Sequence, residues 1–195
     1  MGLSLTKGQR ISLVKSADQS SGLSKIKMGL GWDPVKGGFF SSLFGGGDID
    51  LDASCLMYSE AKELVDTVYF GQLRSKDGSI QHTGDNRTGE GDGDDESILV
   101  DLSQVPGSIK YLAFTINSFR GQTFDKIDNA FCRLVDTTNR DEEICRYTLA
   151  EKGSHTGVIM AIVYRHDGAW KLRAVGDPAN GKTAKNIAQV VSGIL

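Results

Sequence analysis

Apolar residues in this chain recur at every second position far more often than every third or fourth. Alternation with period two is the signature of a strand with one buried face, because successive side chains point to opposite sides of a sheet. "QRISLVKS", "LSKIKMGLGW", "DIDLDASCLMYS", "LVDTVYFGQL" and "GSIQHTGD" all carry it. "SILVDL" and "KYLAFTINSF" are denser in apolar residues and read as central strands. "NAFCRLVDTTNRDEEICRYTL" reads as a hairpin closed by polar turn residues, and "GVIMAIVYRHDGAWKLRAVG" as another with Asp167-Gly168 at its turn. Only "TAKNIAQVVSGIL" shows helical spacing, with Ile187, Val190, Val191 and Ile194 on one face. Many short strands joined by glycine-rich turns predict a mostly β protein: a β-sandwich with a short C-terminal helix on an edge or face. A length of 195 residues suits one such domain over 1–195, with a core large enough to need no staples.

The charge is unevenly placed. The net charge of −3 conceals a short stretch, "GDNRTGEGDGDDE", in which six carboxylates face one cation, Arg87. The rest of the chain is slightly positive, and no basic stripe points to nucleic acid. The three cysteines, Cys55, Cys132 and Cys145, form no CxxC pair, so they indicate neither a disulfide framework nor a zinc site. Cys132 and Cys145 flank a turn symmetrically and read as small buried hydrophobes of a reducing compartment. The first ten residues hold no apolar secretory core, and no apolar run reaches membrane-spanning length, so the expected location is cytoplasmic. Gly2 and Thr6 fit the loose N-acylation pattern, which alone carries little weight.

A second acidic feature is the strand-like "DIDLDAS". Alternation puts Asp48, Asp50 and Asp52 on one face and Ile49, Leu51 and Ala53 on the core face. Same-face carboxylates two residues apart lie about 7 Å from each other and repel, more strongly as water is excluded. If this strand and the acidic loop are neighbours, nine carboxylates meet with no matching cations nearby in sequence. A hard divalent cation is the economical countercharge. Calcium accepts six to eight oxygens from carboxylates, carbonyls and Asn side chains in irregular geometry. Asp85, Asn86, Asp92, Asp94, Asp95 and Glu96 offer such oxygens, with glycine carbonyls beside them. The absence of His and Cys from the set argues against zinc or copper, and magnesium wants fewer protein ligands. The pattern is no EF-hand, and a solvated acidic loop is the plain alternative.

Two further segments stand out. "KGGFFSSLFGGGD" places Phe39, Phe40, Leu43 and Phe44 between glycine clusters, either folded onto the sandwich or forming an apolar finger for a partner or membrane surface. "GDPANGKT", residues 176–183, matches the phosphate-loop pattern. A phosphate-loop domain needs alternating strands and helices upstream, which this chain lacks, so the match reads as a decoy. His82, His155 and His166 are scattered and read as ordinary strand or turn residues.

"GLGWDP", "DIDLDAS", "HTGDNRTGEGDGDDE" and "NSFRGQTFDKIDNAFCRLVD" together resemble the TerD family of tellurium-resistance and stress-response proteins. "FFSSLFGGGD" and "YLAFTINSFRGQ" resemble its TerZ-like branch. The resemblance runs from about Ser4 to about Gly176 and is weakest at the C-terminal end. It implies a β-sandwich that binds calcium at two neighbouring sites. The family motifs place ligands on Asp50, Asp52, Asp85, Asn86, Asp92, Asp94, Asp95 and Glu96, with Asp33 and the carbonyls of Thr88, Gly89 and Gly91 joining them. The resemblance implies an association with tellurite and chemical-damage resistance. Because no general base or nucleophile accompanies the acids, the chain reads as a non-enzymatic module that assembles with other stress-response proteins of its system, in the cytoplasm or, if residues 39–44 form an apolar finger, at the inner membrane face. The alternative is a metal-dependent enzyme acting on a phosphorylated or nucleotide substrate.

Overall fold

The computed structural model describes residues 2–15, 21–34, 51–84, 93–150 and 152–195. Two six-stranded sheets face each other. In the first, the order is β1 (Leu3–Leu5), β10 (Glu142–Thr148), β9 (Ile127–Asp136), β3 (Lys25–Pro34), β7 (Glu96–Asp101) and β6 (Ile80–His82). In the second, it is β2 (Arg10–Ser12), β12 (Ala169–Ala179), β11 (Gly157–His166), β8 (Ile109–Ser118), β4 (Leu51–Ser59) and β5 (Leu64–Val68). All pairings are antiparallel except β1 with β10. The inward residues Met28, Leu30, Ile98, Leu134, Met57, Leu112, Phe114 and Val163 interdigitate in one apolar cluster between the sheets.

Both expected hairpins form. β11 and β12 close at His166↔Ala169, with Asp167 and Gly168 at φ of 52° and 75°. Two successive positive φ values make the tight turn that matches strand twist, which is why an Asp-Gly pair stands there. β9 and β10 form the other hairpin, but Cys132 lies opposite Tyr147 and Cys145 opposite Leu134. The two cysteines are therefore diagonal neighbours. All three thiols are free and buried, and desolvation pushes each of their pKa values far up.

The helix α1 (Ala184–Ile194) packs on the outer face of the second sheet, where Leu56, Tyr58, Ala113 and Ile162 meet Ile187 and Val191. The Tyr58 hydroxyl donates to the Ala188 carbonyl at 2.8 Å. The buried stripe is Ala184, Ile187 and Val191, whereas Val190 is 47% exposed. The expectation that Val190 belongs to the packed face is thus corrected: the stripe is narrower than the apolar spacing. Because α1 covers one face and the other sheet the opposite face, β4 and β8 are buried on both sides. The phosphate-loop match does not form a loop. Its first four residues lie within β12, paired to β11 from Ile159↔Asp177 to Gly157↔Ala179. The Gly181 amide is already bonded to Thr156 Oγ1 at 3.1 Å. No helix among the described residues is long and apolar enough to cross a membrane. The aromatic segment 39–44 lies outside the described residues.

Candidate functional site

The candidate site is built on the outer face of β3. Gly29 and Gly31 both face outward there, between the core residues Met28, Leu30 and Trp32. A Cβ on Gly29 would stand 2.2 Å from the Asp94 carboxyl carbon. One on Gly31 would stand 2.4 Å from the Phe131 ring and 2.9 Å from the Gly93 carbonyl. Two missing side chains therefore form a cradle in which Gly93 to Asp95 lie flat across the strand. The Asp95 amide donates to the Leu30 carbonyl at 2.9 Å, and the Trp32 amide donates to Asp95 Oδ2 at 2.7 Å.

Each described acid then acquires a distinct setting. Asp94 accepts two hydrogen bonds from Arg133, at 2.6 Å and 3.0 Å, and Lys27 stands 3.6 Å away. Such a two-point guanidinium pair is strong and fixes direction. Asp33 accepts from Asn129 Nδ2 at 2.8 Å. Asp95 is pushed up to about 6, chiefly by burial and further by Asp33, Glu96 and Asp94. Glu96 opens β7 with its side chain fully buried between the sheets. Its Oε2 accepts from the Ala53 amide of β4 at 2.7 Å and lies 3.1 Å from His82 Nε2. The Gly84 amide donates to His82 Nδ1 at 3.1 Å, which leaves the Nε2 hydrogen for Glu96 when the ring is neutral. Glu96 therefore ties one sheet to the backbone of the other.

Asp33, Asp94 and Glu96 each stand near enough to Asp95 to raise its pKa, with Asp94 over the outer face of β3 and Glu96 buried between the sheets. Asp52 follows the expected alternation, on the opposite side of β4 from Leu51 and Ala53, but it is only 6% exposed. What alternation does not give is the burial of the second face: β4 is buried from Leu51 to Tyr58. Asp50, Asp85, Asn86, Thr88, Gly89, Gly91 and Asp92 lie outside the described residues. Among the described residues, no three His, Cys, Asp or Glu side chains gather closely enough to hold a metal ion by themselves.

Three partners escaped sequence reasoning. Arg133 and Lys27, both distant from the acidic loop in sequence, supply Asp94 with cations that the linear pattern does not show. His82 is a buried partner of Glu96, which corrects its reading as an ordinary strand residue. The strand pairing Gly29↔Arg133 carries the Arg133 contact, and pairing register is not visible in a linear pattern.

The raised Asp95 makes a pH prediction for the ion-free protein. Its folded pKa of about 6 lies above the unfolded value of about 3.9, so the folded state holds its proton more tightly. Asp95 thus favours folding below about pH 4 and loses that contribution as pH rises through about 6. Between pH 5 and 7, the chelator-treated protein should lose more stability with rising pH than an Asp95→Asn variant does. Denaturant midpoints at the two pH values check this, and equal slopes would refute it.

A sandwich of two six-stranded sheets with one C-terminal helix is thus the class that the fold defines. The family model for the TerD domain matches residues 1–189. The chain is 48% identical to tellurium resistance protein TerZ of Serratia marcescens over 196 residues, 99% of each chain. It is also 48% identical to stress response protein SCP2 of Bacillus subtilis, over 96% of this chain and 98% of that one. A crystal structure of a TerD homologue from Streptomyces coelicolor superimposes with a TM-score of 0.71 at 22% identity, covering 88% of this chain and 98% of the other. The chain belongs to the TerD-domain family of tellurium-resistance and stress-response proteins.

Proposed function

We propose that this chain is a calcium-binding module of a stress-response system, acting through assembly with other proteins rather than through catalysis. The observation that supports this most is the crowding of acids around Asp95. Asp33, Asp94 and Glu96 all raise its pKa, although Arg133 already faces Asp94. A protein that folds so much like charge together gains from a bound cation, and oxygen donors alone favour a hard one. The ligand set would draw on Asp95, Asp33, Asp52 and Glu96 within the described residues. Asp50, Asp85, Asn86 and Asp92 and the carbonyls of Thr88, Gly89 and Gly91 would complete two neighbouring sites. Asp94 enters this reading with its Arg133 pair, which steers it toward positioning its neighbours. When bound, the ion supplies the missing positive charge and links the loop to the acidic strand. The three buried thiols, with pKa values pushed up by desolvation, offer no ready thiolate for an enzymatic reading.

Relatives named for tellurium resistance and stress response support the stress-response part of this reading. The partners would be proteins of the same system, met in the cytoplasm or at the inner membrane face, with Phe39, Phe40, Leu43 and Phe44 as the contact segment. The test is equilibrium calcium binding to the protein and to the double variant Asp94→Asn, Asp95→Asn. The double variant should lose calcium binding. Undiminished binding would show the ligand assignment to be wrong.

A further inference from the structure

The outer face of the second sheet carries a feature of opposite sign. Where α1 stops covering the sheet, a groove of about 600 Å³ opens beside its C-terminal end. Five cations line it, Arg10, Lys110, Arg165, Lys171 and Arg173, together with the C-terminal Leu195, and no Asp or Glu side chain does. Its size falls within the usual range for small-molecule sites. In a chain of net charge −3, this is a concentrated basic surface.

Strand register explains the arrangement. Arg10 of β2 lies directly opposite Arg173 of β12, and Lys171 stands two residues along on the same face, opposite Ser12. Like charges placed directly opposite each other across two strands destabilise the pair. The side chains of Arg10 and Lys171 make no ion pair or hydrogen bond among the described residues. Arg173 spends one N–H on the Ile194 carbonyl at 2.6 Å. Lys110 and Arg165 are more committed, Lys110 to Glu60 at 2.5 Å and Arg165 to the Val105 carbonyl at 2.6 Å. The same row continues from Lys171 to Tyr164 and then Tyr111 across β11 and β8. Two half-buried rings therefore floor the groove beside three cations with donors to spare.

We propose that this groove binds a small phosphorylated molecule with adjacent phosphates, held by Arg10, Lys171 and Arg173, with Tyr111 and Tyr164 beneath any ring it carries. Adjacent phosphates offer several charges and many acceptors to a fixed set of cations, and guanidinium groups match phosphate geometry at two points. A nucleoside diphosphate and an inorganic polyphosphate share this chemistry, and only the first carries a nucleoside whose base could lie on the two rings. The inference is independent of the calcium reading, because it uses the opposite outer face and none of the acidic residues.

The experiment measures equilibrium binding of ADP and of inorganic tripolyphosphate to the full chain. It compares the unaltered protein with Arg10→Gln/Lys171→Gln and with Lys182→Gln, whose position belongs to the phosphate-loop match. Both altered side chains of the first variant are without partners among the described residues, so folding should be preserved, which a thermal midpoint verifies. At least one probe should bind at sub-millimolar concentration, and Arg10→Gln/Lys171→Gln should weaken it at least tenfold while Lys182→Gln leaves it unchanged. Tighter binding of ADP would assign the rings to a base, and equal or tighter binding of tripolyphosphate would assign the groove to the phosphates alone. Chelation of calcium by the probe would move all three proteins alike, so only the difference between variants counts. If neither probe binds, or if the unaltered protein and Arg10→Gln/Lys171→Gln bind equally, the proposal is overturned. Loss confined to Lys182→Gln also overturns it.

Discussion

Glu96→Ala is expected to lower stability by about 3–5 kcal/mol, the combined cost of two buried donors left without their acceptor and of the void the side chain leaves. The Glu96 and His82 side chains are both fully buried and lie 3.1 Å apart. The alanine variant leaves His82 Nε2 and the Ala53 amide without their acceptor and opens a void between the sheets. The Ala53 contact matters beyond its own energy. β5 pairs with β4 only from Cys55 onward, so Glu96 occupies the edge of β4 where that pairing ends. Glu96→Gln keeps the shape and one acceptor oxygen and should cost roughly 1–3 kcal/mol. At roughly 2–4 °C per kcal/mol for a chain of this size, Glu96→Ala should lower the thermal midpoint by about 10 °C. The measurement belongs in chelator, where loss of an ion ligand contributes nothing. If Glu96→Ala unfolds like the unaltered protein in chelator, Glu96 is an ion ligand alone and not a tie between sheets.

The strand content and both hairpins were legible because alternation and turn chemistry are local. Asp167-Gly168 and the segment 137–141 announce their turns within a few residues. The helix was legible too, but not the width of its buried stripe, since Val190 is exposed by how α1 lies on β4 and β8. Asp52 shows the limit of alternation. The pattern correctly put it opposite Leu51 and Ala53, yet alternation says nothing of what covers the second face. The pairs Arg133–Asp94 and Ala53–Glu96 were out of reach for the same reason. Each joins segments about 40 residues apart, the first through strand register and the second across the two sheets, and nothing in either segment alone encodes that contact. Gly29 and Gly31 carried a readable hint: glycines spaced two apart in a strand signal close approach of another chain segment.

The second large effect is that of calcium on folding. An ion that binds only the folded protein stabilises it by RT ln(1 + [L]/Kd), about 2.7 kcal/mol at a hundredfold excess over Kd. That corresponds to roughly 5–10 °C. The effect should be larger at pH 7 than at pH 5, because Asp95, with its pKa of about 6, must lose its proton before it can bind. Magnesium should do less, since it keeps its water and requires stricter geometry than a loop of mixed carboxylates and carbonyls provides.

Thermal unfolding of chelator-treated protein at pH 7, with calcium and separately magnesium titrated back, tests the central claim most directly. The account predicts a rise in midpoint that grows with calcium concentration, exceeds that with magnesium, and is lost in Asp94→Asn/Asp95→Asn. A midpoint unmoved by either ion would contradict it and leave the acidic loop as solvated surface.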